Sequence, residues 1–295
     1  MTKEDIPFKS DLIYDVGMHP GEDTEFYLAS GFRVVAIDAD PDLVSQARVG
    51  FASEIESGQL TVLNVGISYK ASIEKFWICE ANSAWNSFEK SVASRHGSPH
   101  HCIDVPTQRF DVILKEFGIP LYLKIDIEGN DAICLDALQH TPIPKFISVE
   151  DGGLDPSTGL PRVLNALYSL GYRYFNLVSQ NDFRPLFRWH RYKPNLPERI
   201  ANSLAYRRLR VPLLCKVVEP LTNKGALARL NGGREFSHGS SGPWGKGIPG
   251  GWVAFGKACR LDARIRGEYL SDPRIEPWSF WCDWHATTET PPFKY

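Results

Sequence analysis

DVGMHPGEDTEFYLASGFRVVAIDADP, residues 15–41, decides the fold of this chain. It reads as the end of one strand, a turn bracketed by Gly17 and Gly21, a helix, and a second strand that finishes on an acid. Glycine permits positive φ and lets a ligand come close to the main chain, which is what a turn beneath a nucleotide-like molecule needs. Gly31 suits the position just past the first helix and Pro41 the first turn of the next. Asp38 lies 21 residues after Gly17, the spacing at which a carboxylate at a strand end meets ribose hydroxyls. The turn reads GxxxG and not GxGxxG, and Glu22 and Asp23 open the helix. Two acids there repel a pyrophosphate and suit a ligand carrying an amino group and a sulfonium. A plain glycine turn between strand and helix is the alternative for this stretch taken alone.

Working outward, short β-branched runs alternate with helical stretches as far as about residue 180, the pattern of parallel strands with crossover helices. Strands are expected at 12–16, 33–37, 60–65, 121–126, 146–149 and 172–178, and helices at 22–29, 41–50, 108–117, 131–138 and 160–170. A further strand pair is expected around 73–78 and 101–105, separated by a polar loop containing Trp85 and Asn86. The fold class is α/β, a doubly wound, mostly parallel sheet. After residue 180 the alternation stops, and 184–275 reads as a basic, Gly-, Pro- and aromatic-rich insertion or cap between a core at 1–183 and a C-terminal strand within 276–295. Within it, 204–218 mixes basic and apolar residues and is expected to pack as part of the cap, with an interfacial helix as the alternative, against which Pro212 argues. The run SHGSSGPWGKGIPGG at 237–251 reads as a flexible surface loop, or as a lid or acceptor pocket above the crevice.

Further strand ends supply more candidates. LNVGIS at 63–68 places Asn64, Gly66 and Ile67 where they border an adenine or simply end a strand. LKIDIEGND at 123–131 delivers Lys124, Asp126 and Glu128 at period two, facing one way if the strand extends so far. Asp126 then sits at the carboxyl edge of the sheet, where ligands of such folds bind. Glu150 and Asp151 end the next strand, so carboxylates converge from several strands; an ion-pair or capping role is the alternative for Glu150.

These segments closely resemble the FkbM family of methyltransferases, within the Rossmann-like S-adenosylmethionine enzymes. The resemblance rests on residues 15–41, on LKIDIEGND, on ISVED at 147–151, on NSFEKSVASRH at 86–96, and on WCDWHA at 281–286. It implies a seven-strand mixed sheet with helices on both faces, and methyl transfer mainly to a hydroxyl oxygen of a small molecule, sugar or glycan. It implies that Asp15, Gly17 and Gly21 shape the methionine end of the pocket, that Asp38 holds the ribose, and that Asp126 borders the sulfonium. Met18 and His19 in the same turn, and Ala39 beside Asp38, complete the candidate cofactor contacts. Met18, His19 and Pro20 depart from the DVGANxG pattern usual in the family.

Methyl transfer from a sulfonium is an in-line displacement, so the protein has to position the acceptor and remove its proton. Positioning can contribute about 7–11 kcal/mol. Asp126, Glu150 and His285 are the candidate bases. A divalent metal held by Asp126 and Glu150 is compatible with such chemistry but not expected, because no HxxxH or cysteine cluster is present. A nicotinamide-dependent oxidoreductase and a noncatalytic nucleotide-binding module are the alternatives.

Composition narrows the surroundings. The chain has 295 residues, 33 basic and 35 acidic, and ordinary globular hydrophobicity. Residues 184–234 hold twelve Lys or Arg against two acids, near +10, leaving 21 against 33 elsewhere, or −12. That segment fits an anionic substrate or a membrane surface, or complements the acidic remainder. Nucleic acid is not expected, because the NPPY-type motif of amino methylation is absent from the fourth strand end; methylation of a ribose hydroxyl stays open on the sequence alone. The six cysteines form no CxxC pair and read as reduced thiols. No leader or membrane-spanning run is apparent, and a cytoplasmic location is expected.

Overall fold

The computed structural model describes residues 5–155, 157–187, 200, 218, 222–236, 240–271 and 280–291. The chain divides into two compact units after Glu150. The first begins with β1 (Phe8–Val16), α1 (Glu22–Ala29), β2 (Arg33–Asp38), α2 (Pro41–Gly50), α3 (Ala52–Glu56) and β3 (Leu60–Asn64). It continues with β4 (Gly66–Ile67), β5 (Ser72–Cys79), α4 (Lys90–Ala93), β6 (His100–Gln108), α5 (Phe110–Phe117), β7 (Ile119–Ile125), α6 (Asp131–Ala137) and β8 (Phe146–Glu150). The second contains α7 (Arg162–Leu170), β9 (Tyr174–Ser179), α8 (Asn223–Leu230), β10 (Val253–Ala254), α9 (Phe255–Leu270) and β11 (Cys282–Thr287).

In the first unit five strands run parallel in the order β8-β7-β1-β2-β3. Residues 12–16 of β1 are buried without interruption, as a central strand covered on both faces requires. The carboxyl ends of β1, β2 and β7 therefore lie side by side. Local chemistry sets the boundaries. Asp40 caps α2, its Oδ1 accepting from the N–H groups of Asp42 (2.8 Å) and Leu43 (3.4 Å), with Pro41 at the first helical position; such a cap is worth about 1 kcal/mol. The Tyr14 hydroxyl donates to the Gly118 carbonyl at 2.9 Å, tying β1 to the turn that starts β7.

The expected strand pair around 73–78 and 101–105 is present as β5 and β6, antiparallel to each other. With β4 these form a separate three-stranded sheet. The run expected as one strand over 60–65 thus ends at Asn64, and Gly66 and Ile67 belong to the small sheet, pairing with Thr107 and Gln108.

In the second unit β9 pairs antiparallel with both β10 and β11. The two units hold five and three such strands, eight where seven were expected. The additional one is the two-residue β10, too short to stand out in a Gly- and Pro-rich stretch. Also unforeseen is α9, 16 residues long, whose many charged positions hid its periodicity. Buried Arg266 on α9 pairs with Asp262 (2.9 Å) and with Asp151 (2.7 Å), and the Trp284 indole donates to Asp151 at 2.9 Å. Asp151, expected among the converging carboxylates, is thereby engaged in holding α9 to β11.

The run at 237–251 is not an exposed loop where it is described: residues 240–243, 245 and 247–249 are buried. The Asn231 amide donates to the Gly247 carbonyl at 3.0 Å and helps seat it. His238 and the 204–217 part of the basic stretch lie outside the described residues. No helix among the described residues is long and apolar enough to cross a membrane. The described cysteines, Cys79, Cys102, Cys134, Cys259 and Cys282, are free.

Candidate functional site

Gly17 shows why the first turn needs its glycines. Its φ is 85°, and a Cβ there would lie 1.7 Å from the Asp126 carbonyl oxygen. The Asp126 N–H donates to the Val16 carbonyl at 2.9 Å, and the Gly17 and Met18 N–H groups donate to the Ile37 carbonyl at 2.9 and 3.1 Å. The ends of β1, β2 and β7 are thus laced together through main chain alone. Gly21, with φ 96°, starts α1 and faces the Phe51 ring, which a Cβ would approach to 2.7 Å. Met18 is buried.

Asp15 is fully buried. Its carboxylate accepts from the Thr24 hydroxyl at 2.7 Å and from the Lys124 ammonium at 2.9 Å. That ammonium also donates to the Gly17 carbonyl at 2.7 Å and lies 3.7 Å from an Asp23 oxygen. Burial alone would favour neutral Lys124, but the carboxylates of Asp15, Asp126 and Asp23 outweigh it and hold the ammonium above its ordinary range. Asp15 therefore fixes the turn from beneath, through a buried cation that sequence reasoning quoted without assigning.

Asp38 ends β2 as expected. One oxygen accepts the His19 N–H and the other the Asp40 N–H, both at 2.9 Å. Burial raises its carboxyl to about 6 in spite of those bonds. Each oxygen keeps acceptor capacity for one more donor. His19 has φ 53°, and its imidazole Nε2 lies 2.8 Å from the Ser83 hydroxyl. Its pKa is lowered chiefly by burial. Asn64 donates to the carbonyls of Asp38 (3.1 Å) and Ala39 (3.2 Å), bracing β2 from β3. Gly66 admits the Phe88 ring, which a Cβ would meet at 2.2 Å, and the Ile67 carbonyl accepts from the Asn130 amide at 3.1 Å.

Asp126, Glu128 and Glu150 converge, with one carboxylate oxygen from each lying within 4.8 Å of the others. Such a set can accept a proton or hold a hard divalent cation. Glu128 was not among the expected site residues. β7 ends at Ile125 and Glu128 itself has φ 49°, so the period-two argument, which needed the strand to run on, is not what brings it beside Asp126. Burial raises its carboxyl to about 7, with Arg95 opposing at 3.1 Å and Asp126 and Asp131 adding to the rise.

The NSFEKSVASRH stretch supplies the rest. The Ser87 hydroxyl donates to the Glu128 carbonyl at 2.6 Å, and Arg95 meets the Glu128 carboxylate. The Asn86 amide donates to Asp40 at 2.8 Å while its oxygen accepts from the Cys79 N–H at 2.8 Å. This loop therefore holds both the β2 end and the β7 end.

His285, the third candidate base, belongs to the second unit. It sits on β11 opposite Asn176, is 1% exposed, and burial lowers its imidazole to about 3. A group so weakly basic is a poor proton acceptor near neutrality.

The sequence profile of the Methyltransferase FkbM domain matches residues 15–174. No curated protein matches the chain. Similar solved structures include the StiE O-MT (residues 942–1257), 10% identical with a TM-score of 0.36, covering 94% of this chain and 67% of that one. Another is the precorrin-6y C5,15-methyltransferase of Geobacter metallireducens, 12% identical, TM-score 0.33, covering 58% and 69%. A third is phosphoethanolamine N-methyltransferase 2 of Haemonchus contortus in complex with S-adenosyl-L-methionine, 10% identical, TM-score 0.32, covering 96% and 50%. The profile spans more than half of the chain and takes in the Asp15 turn, the Asp38 strand end, the 86–96 loop and the three-carboxylate cluster; the chain belongs to the FkbM methyltransferase family.

Proposed function

We propose that the first unit binds S-adenosylmethionine and transfers its methyl group to a hydroxyl oxygen of a small molecule, sugar or glycan. The observation that carries this reading is Asp38. It is a carboxylate at the end of β2, positioned by two main-chain N–H groups and retaining acceptor capacity on both oxygens, as two ribose hydroxyls require. Beside it the Gly17 turn leaves bare backbone against Asp126, where the methionine portion would lie. Met18, His19, Gly21, Ala39, Asn64, Gly66 and Ile67 are the further contacts of this reading.

The cofactor supplies an activated methyl; the protein orients the acceptor and takes its proton. We assign the proton to the cluster of Asp126, Glu128 and Glu150, with Glu128 the accepting group because burial and the neighbouring carboxylates of Asp126 and Asp131 raise its carboxyl toward neutral pH. Arg95 and Ser87 hold Glu128 in place. The same three oxygens favour a second reading, in which the cluster holds a divalent cation that activates the acceptor hydroxyl.

Calorimetric titration with S-adenosylmethionine, S-adenosylhomocysteine and NADH tests the cofactor. Micromolar binding of the first two, weakened roughly ten- to hundredfold by Asp38→Ala, is the expected result, from loss of charge-assisted hydrogen bonds worth about 1.5–3 kcal/mol. Binding of NADH alone would restore the oxidoreductase reading.

A further inference from the structure

On one face of the second unit's sheet β11 presents buried polar side chains, next to the apolar cluster of Val178, Phe183, Leu227 and Ile248. Along β11 the side chains of Cys282, Trp284 and Ala286 alternate with those of Asp283, His285 and Thr287, and all six are buried. Asn176 on β9 is the antiparallel partner of His285, so their side chains stand next to each other on the same face. Each leaves one atom unmet. Asn176 Nδ2 donates to the Gly250 carbonyl at 2.7 Å, but among the described residues neither its Oδ1 nor His285 Nε2 has a hydrogen-bond partner. Buried polar atoms are satisfied in the great majority of native sites, so two adjacent exceptions call for an explanation.

What lies against Asn176 is glycine backbone. Gly250 and Gly251 have φ of 82° and 89°, and a Cβ on Gly251 would approach Asn176 Oδ1 to 2.8 Å. Any other residue at 251 would therefore crowd the unmet oxygen. Gly242 and Gly245 earlier in the same run also have positive φ, so several positions can absorb a backbone change.

We propose that residues 240–251 are a lid, closed here, over a binding site for a neutral, hydroxylated molecule such as a sugar ring, which Asn176 and His285 engage through adjacent hydroxyls. The free amide oxygen is an acceptor, and the neutral imidazole nitrogen donates or accepts according to tautomer. A hydroxyl does both, so two neighbouring hydroxyls satisfy the pair in either tautomer. Neither group carries charge to attract an anion, and buried Asp283 on the same face disfavours one. Closing the lid without ligand leaves both atoms unmet; ligand exchange through the open lid satisfies them. The inference does not depend on the methyl-transfer reading of the first unit.

The test follows the His285 imidazole nitrogens by NMR in the ¹⁵N-labelled full chain, titrated separately with glucose, galactose, rhamnose and N-acetylglucosamine, and with inorganic phosphate as the charged control. At least one sugar is expected to shift Nε2 saturably while phosphate does not. By calorimetry, His285→Leu and Gly251→Ala should each weaken that sugar at least about tenfold, with folding of each variant checked by circular dichroism. If His285→Leu fails to fold, Gly251→Ala carries the comparison. The proposal is overturned if no sugar moves the resonance, if phosphate moves it equally, if a folded variant binds unchanged, or if a long-lived water occupies the imidazole with no response to sugar.

Discussion

The first unit buries a lysine among aspartates and meets nearly every demand it creates; the second buries an asparagine beside a histidine and leaves an atom of each unmet. Lys124 has Asp15, the Gly17 carbonyl and Asp23 around it, whereas His285 Nε2 and Asn176 Oδ1 have no partner among the described residues. A network of paired charges chiefly holds the backbone in place, since each charged group already has its partner. An unsaturated pair is costly by itself and becomes favourable when something arrives. Burial alone does not separate scaffold from site; the balance of donors and acceptors does.

The most severe way to break this contrast is Lys124→Met. Removing the cation strands Asp15 as a buried charge, and urea denaturation should show a loss of about 3–5 kcal/mol. A loss below about 1 kcal/mol would mean that the network is not what holds the turn. Glu128→Gln should leave the fold intact and lower turnover by roughly 10²–10⁴. The rise of kcat/KM through pH about 7, assigned to the Glu128 carboxyl, should vanish with it. Activity that persists in excess chelator supports Glu128 as base, and activity restored only by a divalent cation supports the metal reading.

Asp38 gives a gentler effect with a definite sign. Its folded carboxyl is near 6 against 3.8 for the free side chain, so the proton is held more tightly in the folded state. The unliganded fold gains from this group below pH 3.8 and loses that gain as pH rises through about 6. Cofactor affinity runs the other way, because ionised Asp38 accepts the ribose hydroxyls, and it should fall about tenfold per pH unit below about 6. Asp38→Asn should flatten both slopes in a calorimetric pH series. The smallest effect belongs to His285→Leu. Because the Nε2 atom is already unmet, thermal unfolding should show a change within about 1 kcal/mol or a slight gain, in contrast with Lys124→Met.

Much of the first unit was legible because its signals are local. Gly17, Gly21, Asp38 and Pro41 lie within one contiguous stretch, and each reports a φ angle, a strand end or a cap. The partners of those residues were harder to read. Lys124 meets Asp15 across 109 positions of sequence, and Asn86 reaches Asp40 across 46, contacts that no local pattern encodes. Glu128 was named by its spacing but given no role, because β7 ends at Ile125 and the alternation on which its direction was argued stops before reaching it. In the second unit α9 was missed because its ion pairs, Arg266 with Asp262 and Asp151, place charge on the face where an apolar stripe is looked for. The polar face of β11 was visible as WCDWHA, but not the fact that both of its faces are buried.

The contact between Gly17 and the Asp126 carbonyl behaves as a bearing without clearance. It fixes the spacing between the turn that would carry the methyl donor and the strand end that would receive the proton, with no adjustable side chain between them. The loop at 86–96, by contrast, reaches the β2 and β7 ends through the side chains of Asn86, Ser87 and Arg95. An engineer seeking a new acceptor could therefore recut that loop and leave the reaction distance as it stands, whereas a single methyl group added at position 17 would force the two parts apart.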